Sequence, residues 1–373
     1  MKIALVNDIA YQYASADAAA VGGAERYQWL LARGLAEHGW SPIIGVRFAL
    51  EPGKRVSIDG VQFVGIGRGQ FFHALYRFLS AERPDWCFWF GSTHLLGPAV
   101  LIGRLTGTKS LFAAQHDLDV RPRDALSERP GFWPLYTMGL RWSSKIFLQH
   151  RGQYAELPSR WRHKAYVIPG VVQVPERSVP HASRERYVAW VGVLREHKRP
   201  DLLIEIARKS PGVEFVVCGG VSVCRTAPGY SERVITELER LPNVNYLGHI
   251  APARAVEIIG RAAMLLSTSD SEGFPSVFVE AWAHGTPVIT LKVDPDHVIT
   301  RHGLGINSGG VAMAVQDLHT LLQSVAQREA IASRAREYVT EIHSGPAVAA
   351  LVEQSLRAES APVLQPFESV ARS

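Results

Sequence analysis

The chain has 373 residues, of which 47% are apolar and 20% charged, a length and composition that suit two globular domains better than one hydrophobic core. Its formal net charge is +5, and its 40 lysine and arginine residues are scattered along the chain. That balance permits a phosphate-rich ligand or an anionic membrane surface, and gives no reason to expect a nucleic-acid partner. No window approaches the roughly 18 consecutive apolar residues of a membrane-spanning helix.

The cysteines and the first residues indicate the compartment. Three cysteines cannot all pair within one chain, and Cys87, Cys218 and Cys224 form no CxxC or CxxxxH cluster of the kind that binds zinc. The first apolar run ends at Asn7 and is too short for a secretion signal. We therefore expect a cytoplasmic protein that at most lies at the inner face of a membrane.

In the first half of the chain, short apolar and β-branched segments alternate with longer amphipathic segments. The predicted strands are 2–6, 61–66, 86–90, 110–114 and 145–149. A helix is predicted over 23–39, where the sequence reads GAERYQWLLARGLAEHG. Such alternation is typical of a parallel sheet covered by helices.

Prolines interrupt the helical pattern at 165–180, which we interpret as an interdomain linker. Strand signals then resume at 187–193, 213–219, 244–248, 262–268 and 286–291. The pattern predicts an α/β protein with two tandem doubly wound Rossmann-like domains that face a cleft, because such domains bind ligands beyond the carboxyl ends of their strands. The expected divisions are an N-terminal domain (1–170), a C-terminal domain (171–340), a helix that returns to the N-terminal domain (341–358) and a flexible tail (359–373).

Two glutamates, Glu272 and Glu280, stand eight positions apart in SDSEGFPSVFVEAWAHGTPVIT (269–290). The first falls in a predicted loop and the second about one turn inside the following helix, so both can face one cleft. A carboxylate accepts two charge-assisted hydrogen bonds from vicinal hydroxyls, which suits one glutamate to a sugar and the other to a ribose. The alternative is a solvated loop glutamate and a helix-surface glutamate that pairs with His284.

The backbone between these glutamates suits an anion. Pro275 is typical of the first turn of a helix, and Gly285 of its end. The unpaired N–H groups at this N-terminus, together with the helix dipole, favour a diphosphate; they belong to Gly273, Phe274, Ser276 and Val277.

These motifs resemble those of the retaining nucleotide-sugar glycosyltransferases of family 4, which have the GT-B fold. The resemblance is carried by the Glu-x7-Glu with its Gly-Phe-Pro, by EAWAHGTPVI (280–289), by GGAERY (22–27) and by the order of the strands. It extends from Met1 to about Leu356. It implies that Glu272 contacts hydroxyls of the donor sugar and that Glu280 contacts the nucleotide ribose. It also implies that the N-terminal domain takes the acceptor and the C-terminal domain the nucleotide-sugar donor.

Two further loops complete the predicted donor site. Gly22 and Gly23 precede a helix and permit close backbone approach to phosphate, and the alternative is a flexible turn. Lys198 lies in a basic loop, where a compact ammonium can stabilise a leaving diphosphate, and the alternative is a solvated lysine. The resembling family commonly has Gly-Arg before this lysine. This chain has Val193 in place of the arginine, and Arg195 is the candidate for the missing charge.

His116 follows the predicted strand 110–114, at the carboxyl edge of the N-terminal sheet. The resemblance implies that His116 binds or polarises the donor sugar and that the leaving phosphate accepts the acceptor's proton. Asp117 and Asp119 are secondary candidates that equally suit a loop or helix cap. No motif requires a metal, since the Asp-Pro-Asp at 294–296 is typical of a turn. We expect no cofactor beyond the nucleotide sugar as co-substrate.

The sequence therefore predicts a hexosyltransferase-type enzyme that moves a sugar, with retention, from a nucleotide diphosphate sugar to a sugar, glycolipid or other acceptor. Surface polysaccharide or glycolipid assembly is implied by the resemblance alone. A non-catalytic nucleotide-sugar-binding subunit, a sugar-nucleotide epimerase and a phosphorylase of the same fold stay open. A dinucleotide oxidoreductase is disfavoured because GIGRGQ (65–70) lacks the final glycine of its fingerprint.

Segments 70–79 and 133–145 mix aromatic, aliphatic and basic residues. Helices of that composition can lie on anionic lipid, although packing into a core also produces such a stripe. Peripheral contact with an anionic membrane is therefore a further hypothesis.

Overall fold

The computed structural model describes residues 1–15, 23–126, 129–222 and 226–358 of the chain. The chain divides into two compact units. Unit 1 contains Met1–Val171 and the segment that begins at Ile342, and unit 2 contains Val172–Glu341.

Unit 1 is built on a largely parallel sheet of eight strands. The strands are β1 (Lys2–Val6), β2 (Ser41–Val46), β3 (Arg55–Ile58), β4 (Val61–Gly65), β5 (Trp86–Phe90), β6 (Lys109–Ala113), β7 (Lys145–Leu148) and β8 (Ala165–Val167). Their order is β3-β4-β2-β1-β5-β6-β7-β8, and only β3 and β4 pair antiparallel. The central strands are covered on both faces, which is why they are continuous apolar runs in the sequence.

Helices cover both faces of this sheet. They are α1 (Asp8–Ala14), α2 (Gly23–Glu37), α3 (Phe71–Glu82), α4 (Leu96–Leu105), α5 (Trp133–Trp142), α6 (Arg151–Glu156), α7 (Ser159–Arg162) and, after unit 2, α15 (Gly345–Arg357). The helices α1, α2 and α15 pack into one apolar core, and α3, α4 and α5 pack into the other.

The α15 helix joins unit 1 by packing against α2. A Cβ atom added to Gly34 of α2 would lie 3.0 Å from the Cα atom and 3.0 Å from the carbonyl oxygen of Gly345. The two helices therefore approach backbone to backbone, which only residues without a side chain permit.

Unit 2 has a six-stranded sheet whose neighbours all pair in parallel. Its strands are β9 (Tyr187–Val191), β10 (Glu214–Cys218), β11 (Val244–Gly248), β12 (Met264–Ser267), β13 (Val288–Thr290) and β14 (Gly305–Asn307), in the order β11-β10-β9-β12-β13-β14. Its helices are α8 (Pro200–Lys209), α9 (Tyr230–Glu239), α10 (Pro252–Arg261), α11 (Ser276–Ala283), α12 (Val298–His302), α13 (Val311–Gln323) and α14 (Val325–Ile342).

The two doubly wound α/β sheets that the sequence predicts are confirmed, and each predicted strand has a counterpart. The sequence pattern misses β2, β3, β8 and β14. These strands are short, carry a proline or glycine, or alternate with exposed positions, so they lack a continuous apolar run. The β8 strand occupies the first residues of the segment interpreted as a linker, where Ala165, Tyr166 and Val167 are buried and pair with β7.

Among the residues that the structure describes, no helix has both the length and the apolar character needed to cross a bilayer.

Replacement of Gly34 by valine tests the packing of α2 on α15. The added side chain meets the backbone of Gly345, so we expect Gly34→Val to lower the free energy of unfolding by about 1–3 kcal/mol, measured by denaturant titration. Gly212→Ala is the control, because its added Cβ meets nothing within 4 Å. A Gly34→Val protein as stable as the wild type would contradict the close approach.

Candidate active site

The segment between β12 and β13 folds as the sequence predicts. The α11 helix begins at Ser276, with Pro275 as its N-cap in extended conformation, and Gly285 takes a left-handed φ of +67° just beyond the helix end. Proline has no side-chain acceptor, so the N-cap residue makes no side-chain cap bond to the N–H groups of Ser276 and Val277. These groups lie at the positive end of the helix dipole.

Glu272, in the loop that leads into α11, forms a salt bridge with Lys198. The side chains of Glu272 and Lys198 are only 13% and 22% exposed. Neither residue is therefore the solvated loop residue that the alternative interpretations describe. A pair of charges so withdrawn from water depends on each partner for compensation.

The backbone fixes Lys198 beside β12. Its carbonyl oxygen accepts a hydrogen bond from Thr268 Oγ1 (2.7 Å), and Thr268 Oγ1 accepts one from the indole nitrogen of Trp190 (3.0 Å). The amide of Asp270 also donates to the carbonyl oxygen of His197 (2.8 Å). The loop after β9 is thus tied to the loop after β12.

Arg195 is held on the other side of β9. Its Nε atom donates to Ser222 Oγ (2.9 Å), in the loop after β10, and the neighbouring Leu194 forms a bridge with Val221. Because β10 and β12 flank β9 on opposite sides, Arg195 is drawn towards β10 and Lys198 towards β12. Val193, in the position where the resembling family has arginine, is 40% exposed.

Glu280 lies in the middle of α11 and is buried. It is therefore not the surface glutamate of the alternative interpretation. Phe278 and Trp282, two residues to either side, are also buried, and the ring of Phe274 meets that of Trp282 edge-on at 6.3 Å. A buried carboxylate requires polar partners.

Side chains from distant parts of unit 2 hold the C-terminus of α11. Arg184 donates to the carbonyl oxygen of His284 (2.6 Å) and to Thr286 Oγ1 (2.6 Å), and Arg336 donates to the carbonyl oxygen of Ala283 (2.8 Å). Burial lowers the pKa of Arg184 to about 10, so it stays charged at pH 7 and complements the negative end of the helix dipole. Sequence reasoning missed these arginines, because nothing local to either one signals its helix partner.

In unit 1, His116 is the N-cap of a short 3₁₀ turn, Asp117–Val120. Its Nδ1 atom accepts a hydrogen bond from the amide of Leu118 (3.2 Å). A neutral imidazole that accepts at Nδ1 carries its proton on Nε2, so His116 presents an N–H donor there.

The two aspartates beside His116 have structural partners. Asp119 is buried and accepts hydrogen bonds from the amides of Gln115 (2.7 Å) and His116 (3.0 Å), as in the capping interpretation. Burial raises the pKa of Asp119, although those amides oppose the shift. Burial acts to raise the pKa of Asp117, but the hydrogen bond and charge of His150 (Nε2 to Oδ1, 2.8 Å), the hydrogen bond from Gln153 and the charge of His116 together lower it.

The remaining candidates are placed as follows. Gly23 begins α2, whereas Gly22 lies outside the described residues. Cys87 and Cys218 are buried free thiols, and Cys224 lies outside the described residues. Within the described ranges, no three His, Cys, Asp or Glu side chains come together as a set that could hold a metal ion.

Known sequences match part of the chain. Residues 175–338 match the family model described as "Glycosyl transferases group 1". D-inositol 3-phosphate glycosyltransferases of Mycobacterium bovis and Mycobacterium tuberculosis are 36% identical to this chain over 121 residues, which is 32% of this chain. The match spans a quarter (25%) of the length of these curated relatives.

Comparison with solved structures covers nearly the whole chain. HepE of Anabaena, in complex with UDP and glucose, has a TM-score of 0.70 and 16% identity, with 95% of this chain and 99% of that chain covered. Sucrose-phosphate synthase of Thermosynechococcus elongatus has a TM-score of 0.71 and 17% identity, with coverage of 96% and 98%. These likenesses show the fold: two Rossmann-like domains of the GT-B kind, with the group 1 glycosyl transferase match in residues 175–338.

The stability of the protein should depend on pH through His181, which contacts the turn after α11. His181 is buried, its Nε2 lies 2.8 Å from the carbonyl oxygen of Gly285, and its Nδ1 has no hydrogen-bond partner in the described part of the chain. Burial and the charge of Arg184 lower the pKa of His181 from 6.5 to about 4. The unfolded chain therefore binds more protons than the folded protein between these values, and stability falls as the pH drops below 6.5.

We expect the titration of His181 to make the free energy of unfolding about 2 kcal/mol lower at pH 5 than at pH 7. Below the unfolded pKa of His181, each pH unit lowers it by roughly 1.4 kcal/mol. Unfolding by urea at the two pH values measures the change. In His181→Gln, which does not titrate, the pH dependence should shrink by that amount. An identical pH dependence in the variant would show that His181 is protonated as easily in the folded protein as in the unfolded chain.

Proposed function

We propose that the chain is a retaining glycosyltransferase of family 4, which moves a hexosyl group from a nucleotide diphosphate sugar to a sugar, glycolipid or other acceptor. The observation that carries the proposal is the Lys198–Glu272 salt bridge in the approach to the uncapped N-terminus of α11. The group 1 match of residues 175–338 supports it, as does the UDP found in the HepE structure.

In this proposal the diphosphate binds between Lys198 and the first N–H groups of α11. The ammonium and the helix dipole stabilise the charge that grows on the leaving phosphate as the glycosidic bond breaks. The Nε atom of Arg195 donates to Ser222 on the β10 side, which favours Lys198 over Arg195 as the group that supplies the charge of the family's arginine. Lys198 is the principal cation of the site, and no cofactor or metal is needed.

Glu272 changes partners when the donor binds. Without a donor it is the counter-ion of Lys198. A diphosphate supplies Lys198 with a new negative partner and frees the carboxylate of Glu272 to accept hydrogen bonds from hydroxyls of the donor sugar. The energy of the lost salt bridge is recovered only by a ligand that carries both a diphosphate and a sugar, so Glu272 favours the intact donor over the free nucleotide.

Glu280 binds the ribose hydroxyls, and His116 donates from Nε2 to the donor sugar. Retention follows if the leaving phosphate accepts the acceptor's proton on the face from which it departs. We place the reaction in surface polysaccharide or glycolipid assembly in the cytoplasm.

A non-catalytic nucleotide-sugar-binding subunit is the second candidate, and the valine at position 193 favours it because the usual phosphate-binding arginine is missing. Incubation with nucleotide sugars separates the two. The enzyme hydrolyses or transfers the sugar and releases nucleoside diphosphate, whereas the subunit binds the nucleotide and releases none.

Substitution of Glu280 tests the ribose contact. UDP, GDP, ADP and TDP are first compared by thermal unfolding, and the nucleotide that protects is titrated by calorimetry. Glu280→Gln should weaken its binding by about 1–3 kcal/mol, the range for a lost charge-assisted hydrogen bond. Glu205→Gln, an exposed glutamate of α8 that pairs with Lys209, is the matched control.

If the protecting nucleotide carries a ribose, as UDP, GDP and ADP do, its 2′-deoxy form makes the test specific. Loss of the 2′-hydroxyl should weaken binding to the wild type and have little further effect in Glu280→Gln, because both changes remove one interaction. If the losses of binding free energy from the Glu280→Gln substitution and from the missing 2′-hydroxyl add up, Glu280 does not contact that hydroxyl.

A further inference from the structure

Exposed aromatic side chains gather at one edge of unit 1. The helices α3, α4 and α5 are neighbours, and each follows a strand, so their first turns lie at the carboxyl edge of the sheet. Large aromatic side chains are exposed there and in the loop after β2: Phe48 (52%), Phe72 (37%), Tyr76 (48%), Phe132 (44%) and Trp133 (36%). Phe72 and Tyr76 stand four residues apart, on one face of α3.

Arginines are interleaved with these rings. The guanidinium of Arg47 lies over the rings of Phe48 (4.9 Å) and Phe71 (5.2 Å), and that of Arg123 lies over Trp133 (5.4 Å). We call this surface the arginine rim, and it comprises the five exposed aromatic residues with Arg47, Arg68, Arg77, Arg123 and Arg129.

In the described part of the chain, the arginines of the rim contact aromatic rings and backbone carbonyls. None of its arginines forms a salt bridge with a carboxylate among the residues that the structure describes. Arg68 and Arg47 donate instead to backbone carbonyls, of Phe48 (3.3 Å) and Gly69 (3.1 Å). The nearby Asp8 accepts hydrogen bonds from the amides of Arg47 and Phe48, which engages its carboxylate in holding the loop.

The layout of the rim favours a flat partner. Its rings lie on α3, at the start of α5 and in the loop after β2, and α4 lies between α3 and α5. With neighbouring helix axes about 8–10 Å apart, the rim extends roughly 20 Å from α3 to α5. Tryptophan and tyrosine prefer the boundary between water and hydrocarbon, and arginine pairs with phosphate headgroups while its stem covers apolar surface.

We propose that the arginine rim docks unit 1 on an anionic phospholipid surface. The aromatic rings enter the headgroup region, and the arginines contact phosphates of anionic lipids. The contact is peripheral, and it stands on unit 1 alone, independently of the reaction proposed for the chain.

Sedimentation with vesicles tests the proposal. The full chain should bind vesicles of phosphatidylcholine mixed with phosphatidylglycerol and leave vesicles of phosphatidylcholine alone unbound, and added salt should release it. Arg77→Glu with Arg123→Glu, and separately Tyr76→Ser with Trp133→Ser, should each lower the partition coefficient about tenfold or more.

Two controls lie at the opposite edge of the same unit. Leu105→Ser removes an apolar side chain that is 70% exposed at the end of α4, and Lys109→Glu reverses an exposed charge at the start of β6. Both should bind the mixed vesicles as the wild type does. Thermal unfolding verifies that every variant is folded. If the Arg77→Glu with Arg123→Glu protein is unfolded, lipid binding by the rim is judged from the Tyr76→Ser with Trp133→Ser protein and from the salt titration.

Three results would overturn the proposal. The first is a wild type that fails to sediment with anionic vesicles. The second is a wild type that binds neutral vesicles equally well. The third is that the rim variants bind anionic vesicles as well as the control variants do. Concentration-dependent self-association that the rim variants abolish, without any lipid binding, would assign the surface to contact between copies of the chain instead.

Discussion

The candidate site depends on the salt bridge between Lys198 and Glu272. The two residues belong to loops that follow β9 and β12, which pair directly in the sheet, and Thr268 and Trp190 link the same loops through the carbonyl oxygen of Lys198. Two charges with little exposure to water must compensate each other until a ligand does so. A ligand that offers a diphosphate to the lysine and hydroxyls to the glutamate replaces both halves of the bridge at once.

The helix α11 is held in place by contacts at its C-terminus, so little ordering of the helix is needed when a ligand replaces the salt bridge. Arg184 and Arg336 fix its C-terminal carbonyls, and its own residues Phe278 and Trp282 are buried. In the proposed function the N-terminus of α11 binds the diphosphate without a rearrangement of the helix. A site whose backbone is already in place loses less free energy to ordering when the ligand arrives.

The sequence predicts what depends on local pattern. Buried parallel strands are continuous apolar runs, and the Pro275 and Gly285 boundaries of α11 follow from the backbone preferences of those residues. Features that depend on partners far along the chain escape such reasoning. The hydrogen bond from Arg195 to Ser222, the arginines at the end of α11 and the approach of Gly34 to Gly345 each require the fold to be known. The exposed valine at position 193 shows a departure from the family pattern, but only the strand order shows that Arg195 lies on the other side of β9 from Lys198.

The most direct measurement is the dissociation constant of the protective nucleoside diphosphate for the wild type, Lys198→Met and Glu272→Gln. If the diphosphate displaces Glu272 from Lys198, Lys198→Met weakens binding about tenfold or more, which is about 1.4 kcal/mol, whereas Glu272→Gln binds the free nucleotide as well as the wild type or more tightly. Equal losses in the two variants, or full affinity in Lys198→Met, would contradict the account.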